Sequence, residues 1–280
     1  MPGRVNVSLD IRPVTATIGA EVHGVDLRDE LDDGTVDVIR KALLDHLVLF
    51  FRDQAIEDQQ HLAFALRFGP LHVSPLATKY QDSDSVVVLD QVNPKGEGAD
   101  VWHSDNTFLA DPPMGSILRA VQLPTVGGDT CFANMYAAYD ALSEPVRTLV
   151  DSLYAMHDIT NVMRKAIEDG HTNLDLAEMQ AKCPPVQHRV AVTHPETGRK
   201  ALFVNRNSTS HIEGITRREN EVLFPFLCDH VRAPEFQCRF RWEPNSIAFW
   251  DNRAVQHNAV PDYFERRVMR RVTIAGPPAR

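Results

Sequence analysis

The sequence predicts a closed, mainly β architecture with flanking helices (an α+β chain), as a single domain over residues 1–280. Three observations point there. The last third is nearly all strand, with β-rich runs at residues 236–242, 247–250 and 267–274. Helical periodicity is confined to early or inserted segments, which argues against alternating β-α-β units. No G-x-G-x-x-G follows any strand, so a dinucleotide-binding fold is disfavoured.

Taken in order, residues 5–27 alternate around Gly19 and Gly24 and read as short strands joined by turns. Val36, Ile39, Leu43 and Leu44 fall at helical spacing behind Asp32 and Asp33. The run 47–51 is a buried strand. A second helix starts near Glu57-Asp58, where acidic groups suit the positive end of the helix dipole, and stops at Gly69-Pro70. Residues 86–89 form another buried strand, and a Gly/Pro/charged loop over 93–100 delivers the chain to His103. A strand over 116–123, a turn at Gly127-Gly128 and a strand over 130–133 follow. A helical stretch then runs from Tyr136 to about Leu153, with Ser143 capping its second half and Pro145 in that first turn. Residues 160–185 are polar and poorly periodic. Such a long connection reads either as an active-site lid or as a plain surface loop. Residues 187–193 and 200–205 make a hairpin around 195–198. Thr216 and Glu219 form a capping box for a helix to about Val231, which Pro225 should bend or split.

A net charge of −9 without a Lys/Arg block argues against nucleic-acid and anionic-membrane surfaces. No apolar run approaches a bilayer span and the N-terminus carries no signal-like apolar stretch, so a cytoplasmic protein is expected. Cys131, Cys183, Cys228 and Cys238 form no C-x-x-C pair and read as reduced thiols.

Chemistry concentrates in Trp102-His103-Ser104-Asp105-Asn106-Thr107-Phe108. Read as an extended strand, this stretch sends His103 and Asp105 to the same face. An imidazole beside a carboxylate is two-thirds of a 2-His-1-carboxylate facial triad, the site type of non-haem Fe(II). It is equally the pattern of a buried hydrogen-bonded pair. Twelve histidines in 280 residues also yield H-x-[DE] by accident, and His194-Pro195-Glu196, inside the hairpin turn, is one such accident. A third ligand has to come from a later strand, and His257, between Trp250-Asp251-Asn252-Arg253 and the final strand, is the candidate. Period-two geometry on that last strand puts Arg267, Met269, Arg271 and Thr273 on one face. Buried arginines need anionic partners, either acidic side chains or anionic ligands. Trp102 and Trp250 read as core or wall, and Asn252 and Arg253 as either site-orienting groups or a structural turn.

The ordered strings W-H-S-D-N-T-F, G-G-D-T, W-D-N-R-A-V-Q-H and R-R-V-M-R-R resemble the taurine dioxygenase family, from about Gly19 to Gly276. The resemblance implies a double-stranded β-helix (jelly-roll) core and an Fe(II)- and 2-oxoglutarate-dependent dioxygenase that consumes O2. It implies His103, Asp105 and His257 as iron ligands, Thr130 and Arg267 on the distal carboxylate of 2-oxoglutarate, and Arg271 on the substrate's sulfonate. It also suggests a homodimer or homotetramer. The substrate positions depart from the taurine pattern: Ser74 replaces a histidine, Ala77 a tyrosine, Ala99 an asparagine, Ser208 an aromatic, and Val162-Met163 a Ser-Phe pair. These changes remove donors and enlarge the pocket, while the retained Arg271 still asks for an anion. The expected reaction is hydroxylation beside the anionic group of a small sulfonate such as taurine. It would release sulfite and an aldehyde, with succinate and CO2 from 2-oxoglutarate. Sulfate esters and aryloxy or alkyl carboxylates are alternatives with the same chemistry. A metal-dependent hydrolase and a non-catalytic jelly-roll binding protein are the readings of another class.

Overall fold

The computed structural model describes residues 9–73, 81–83, 85–92, 100–168 and 174–276. Strands β1 (Asp10–Pro13) and β2 (Ala20–His23) form an antiparallel pair. Helix α1 (Asp33–His46) starts where Asp32 accepts the Thr35 N–H and buries Val36, Ile39, Ala42 and Leu43. It leads through Leu47, at φ 68°, into β3 (Val48–Phe51). Helix α2 (Asp58–Leu66) opens with a capping box between Glu57 and Gln60. Its regular turns end before the expected Gly69-Pro70.

Next come β4 (Gln81–Ser83), β5 (Val86–Gln91), β6 (Gly115–Gln122) and β7 (Thr130–Asn134). In β5 Val86 alone of the expected buried strand is fully buried. Gly127 and Gly128, at φ +82° and +74°, make the turn before β7 that non-glycine residues resist. Helices α3 (Met135–Asp140) and α4 (Glu144–Ser152) replace the single expected helical stretch, and the Ser143 side chain makes no capping bond. Strand β8 (Tyr154–His157) precedes α5 (Thr160–Glu168) and α6 (Leu176–Lys182). The described part of the 160–185 connection is therefore largely helical, because Met163 and Met179 bury beside Phe108, Ile159 and Cys183.

The expected first hairpin strand is divided in two. Strand β9 (Val186–Arg189) pairs with β8, whereas β10 (Ala191–Thr193) pairs with β11 (Lys200–Leu202). Nothing in the local pattern marks that change of partner. Strand β12 (Thr209–Ile212) is followed by α7 (Arg217–His230), whose Thr216–Glu219 capping box is as expected. Pro225 does not split α7: it sits on a partly exposed face, where water can serve the carbonyl left without its N–H partner. Strands β13 (Gln237–Phe240), β14 (Ile247–Asp251), β15 (Val255–Ala259) and β16 (Arg267–Ile274) complete the chain.

The strands pack as two layers of a jelly roll. The larger sheet runs β1-β2-β3-β14-β6-β16-β5-β4, the smaller β13-β7-β15. Phe50 stacks on Phe240 at 4.0 Å between ring centres, and with Phe132, Trp250 and Met269 fills the space between the layers. Alternate residues of the same strands point outward. Leu49, Phe51, Ile117, Phe249 and Val272 pack with Ile39, Leu43, Phe64 and Phe68 of the helices. Burial on both faces explains why β3 and β14 read as continuous apolar runs rather than alternating ones.

At Gly115 the sheet leaves no space. A Cβ there would lie 2.7 Å from the Trp250 carbonyl oxygen, inside the β6–β14 ladder. Gly115→Ala should cost about 1–3 kcal/mol of stability, read as a lowered denaturation midpoint in urea with an unchanged slope. An unshifted midpoint would contradict this close approach.

Candidate metal centre and anion sites

His257 enters on β15, a strand the sequence reading missed, which pairs with β7 so that His257 faces Phe132. His103 then bridges to His257 by two reciprocal backbone hydrogen bonds, 3.1 Å and 2.8 Å. Directly opposed residues of an antiparallel pair send their side chains to the same side. The two imidazoles accordingly lie 4.3 Å apart between ring centres. The Nδ1 of His103 lies 2.7 Å from the Val101 carbonyl oxygen, which only accepts, so that nitrogen carries the proton and Nε2 keeps its lone pair.

Asp105 does not follow His103 along a strand, as the spacing suggested. It lies in a turn that reverses at Asn106, φ +52°. The Asn252 side chain takes over the role of a neighbouring strand. Its Oδ1 accepts the Asp105 N–H at 2.7 Å, and its Nδ2 donates to the Asp105 and Pro113 carbonyls at 2.9 and 3.2 Å. Asp105 Oδ2 accepts from Ser116 Oγ at 2.9 Å, leaving Oδ1 3.8 Å from His103 Nε2 and 3.9 Å from His257 Nε2. Arg271 Nη1 donates to the same Oδ1 at 2.9 Å. The donor atoms of His103, Asp105 and His257 all lie within 4.8 Å of one another, all three residues are buried, and the group could hold a metal ion.

The protonation states suit that use. Burial pushes the His257 imidazole down to about 3, and His103 is lowered for the same leading reason. Burial alone would raise the Asp105 carboxyl, but Arg271 and the two imidazoles hold it well below the usual carboxylate range. Near neutral pH the three groups are two neutral imidazoles and one carboxylate, the state in which they ligate a cation.

The turn bearing Asn252 is itself anchored. Fully buried Asp251 accepts from His194 Nε2 at 3.0 Å and from Arg253 Nε and Nη2 at 2.8 and 2.6 Å, and these partners hold its carboxyl down at about 2 against burial. His194, in the accidental motif, is thus a buried partner of Asp251. Neither the Ser116 contact nor the His194–Asp251 pair carried a sequence signal.

Thr130 on β7 is buried, and its hydroxyl accepts from Trp242 Nε1 at 3.0 Å. Arg267 on β16 is 3 % exposed, and its guanidinium lies against the rings of Trp242 and Tyr263. Its Nε and Nη2 are buried with no hydrogen-bond partner among the described residues, a donor pair suited to a carboxylate. Trp242, which touches both residues, was not singled out from sequence. Arg271 also keeps a buried Nε without a hydrogen-bond partner among the described residues. Ser208 is buried on the Asn205 turn, with its carbonyl accepting the Asp158 N–H at 2.8 Å. Met163 packs beside Phe108, three residues beyond Asp105. Ser74, Ala77 and Ala99 lie outside the described residues. Trp250 is core, and the partly exposed Trp102 packs against the same core cluster.

Asn252→Ala should leave the buried Asp105 backbone groups unmatched, at a cost of about 1–3 kcal/mol. It should also weaken divalent metal binding by roughly 10- to 100-fold. Thermal unfolding and Mn(II) titration read the two effects, and metal affinity equal to wild type would contradict the clamp.

The sequence profile described as "Taurine catabolism dioxygenase TauD, TfdA family" matches residues 10–273. An alpha-ketoglutarate-dependent sulfate ester dioxygenase of Pseudomonas putida is 38% identical over 276 residues, covering 96% of this chain and 90% of that protein. An alkylsulfatase of Acinetobacter baylyi is 36% identical over 274 residues, covering 96% of this chain and 85% of that protein. The crystal structure of a taurine dioxygenase from Burkholderia xenovorans superposes with a TM-score of 0.82 at 37% identity, covering 96% of this chain and 90% of that one. The chain belongs to the TauD/TfdA family, and it is a 2-oxoglutarate-dependent non-haem iron dioxygenase.

Proposed function

We propose that His103, Asp105 and His257 hold the ferrous ion, that Arg267 and Thr130 hold the far carboxylate of 2-oxoglutarate, and that Arg271 holds a sulfo-oxyanion head on the organic substrate. The convergence of two neutral imidazoles and one carboxylate oxygen carries this reading. When bound, iron with 2-oxoglutarate and O2 supplies the oxidation that turns a C–H beside the anionic head into C–OH, with succinate and CO2 as co-products.

The chain's own residues divide the remaining work. The Asn252 clamp and Ser116 aim Asp105 Oδ1 at the imidazoles before any ligand arrives. Arg267 and Arg271, on one face of β16 and four residues apart, are separated by roughly 13 Å along the strand. They can therefore grip two different anions on either side of the metal position. The unpaired Arg267 donors and the Thr130 hydroxyl match one carboxylate. Arg271, tied by one nitrogen to Asp105, retains Nε for the second anion. Ala77 and Ala99 stand where the taurine pattern has a tyrosine and an asparagine, so the donors for an amine are gone and an alkyl tail suits the site better. Sulfonates and sulfate esters share the head chemistry. After hydroxylation the carbon expels sulfite from the first or sulfate from the second, leaving an aldehyde.

The test supplies purified Fe(II)-loaded enzyme with 2-oxoglutarate and air, offering hexyl sulfate, hexanesulfonate, taurine and phenoxyacetate in turn. Sulfate or sulfite should appear in step with succinate, faster for the alkyl anions than for taurine. Arg267→Gln should raise the 2-oxoglutarate KM by about tenfold or more, as expected for a lost charge-assisted contact. Sulfate released without O2 and without succinate would overturn the reading in favour of hydrolysis. Turnover of phenoxyacetate alone would replace the sulfo-oxyanion with a carboxylate.

A further inference from the structure

Residues 70–72 run antiparallel to the end of the final strand. The His72 N–H donates to the Thr273 carbonyl and the Ala275 N–H to the Pro70 carbonyl, both at 2.8 Å, around a Leu71–Ile274 bridge. In this register Leu71 and Ile274 share the outer face, where both pack with the helix-side core. His72 lies opposite Thr273, so its side chain leaves on the other face, the one Thr273 shares with Arg271 and Arg267. That is the face of the metal centre: Thr273 Oγ1 lies 3.4 Å from Ser116 Oγ, which donates to Asp105.

The ring has an unmet need there. His72 Nε2 is buried and has no hydrogen-bond partner among the described residues. Burial lowers the proton affinity of the ring, and the charges of Asp105 and Arg271 both reach it, the first raising and the second lowering that affinity. A buried imidazole nitrogen left unmatched costs stability unless a ligand completes it. The metal ligands already have their register from His103, Asp105 and His257, and the unpaired donors of Arg267 lie at the far end of β16. The anion position of Arg271 is the place His72 can serve.

We propose that His72 is a specificity-determining residue whose Nε2–H donates to the substrate's anionic head, completing with Arg271 a two-sided grip. This rests on the reading of Arg271 as the substrate-anion residue. A neutral donor beside one guanidinium favours a head that presents several oxygens in a fixed fan, as a sulfate ester or sulfonate does, over a planar carboxylate that the arginine can satisfy alone.

Calorimetric titration of the anaerobic Fe(II)- and 2-oxoglutarate-loaded enzyme with hexyl sulfate, hexanesulfonate and phenoxyacetate tests it. His72→Ala should weaken the two sulfo-anions by about tenfold and phenoxyacetate by less. His72→Gln, whose amide nitrogen occupies the Nε2 position, should restore them to within about threefold, with 2-oxoglutarate affinity the same in all three proteins. Equal sulfo-anion affinity in wild type and His72→Ala, no rescue by glutamine, or a parallel loss of 2-oxoglutarate affinity would each overturn the proposal. Arg271→Gln separates the two claims. If it loses the anions while His72→Ala does not, only the role of His72 fails. If it binds them as wild type does, or wild type binds none of the three, the reading of Arg271 fails and the role of His72 falls with it.

Discussion

The candidate site depends on one backbone contact, the reciprocal pair of hydrogen bonds between His103 and His257. Two residues so exchanged must present their side chains on the same side, whatever those side chains are. The bridge thereby converts two histidines remote in sequence into a facing pair. The remaining ligand is fixed by a different device. Asn252 takes both backbone groups of Asp105, standing in for a strand neighbour at a place where the chain turns away. Asn252 is in turn fixed because Asp251, one residue earlier, is locked by His194 and Arg253. The geometry of the three candidate ligands is thus set by main-chain contacts and by the Asn252 amide and the Asp251 carboxylate.

Electrostatics follow the same layering. On the helix side of the large sheet, Arg119 and Arg270 converge on Asp58, so those charges are matched within the protein. On the inner side Arg271 pairs with Asp105 through one nitrogen only, and Arg267 and Arg271 both keep buried donors unmatched among the described residues. One strand, β16, therefore carries internally paired charge on one face and ligand-seeking charge on the other. The alternation of side chains along a strand is what makes that division possible. Low dielectric sharpens it, because a buried guanidinium without a counter-ion is costly and an arriving carboxylate is correspondingly favoured.

Much of this was legible in the residues. The Thr216–Glu219 capping box, the continuous apolar runs and the Gly127-Gly128 turn are local signals, and the helices and strands they announce are present. Arg267 and Arg271 on a common face followed from period two alone. What depends on distant partners was not legible. The strand bearing His257 is short and polar, and becomes a strand only by pairing with β7. The His103-x-Asp105 spacing predicts a shared strand face, whereas a turn and not an extended strand brings the two together. The split of residues 187–193 between two sheets and the helices within 160–185 likewise reflect tertiary packing, as the burial of Met163 and Met179 indicates. His72 carried no pattern at all, and only the register with Thr273 gives it a direction.

The central claim is that the two bridged imidazoles and Asp105 bind ferrous iron in a form that accepts 2-oxoglutarate. The most direct measurement is anaerobic titration of the purified chain with Fe(II) and 2-oxoglutarate, following the visible charge-transfer absorption of the chelate. The account predicts saturation at one iron and one 2-oxoglutarate per chain, and loss of the absorption in His257→Ala while the protein stays folded. Full absorption in that variant would contradict it, because the iron would then be bound elsewhere.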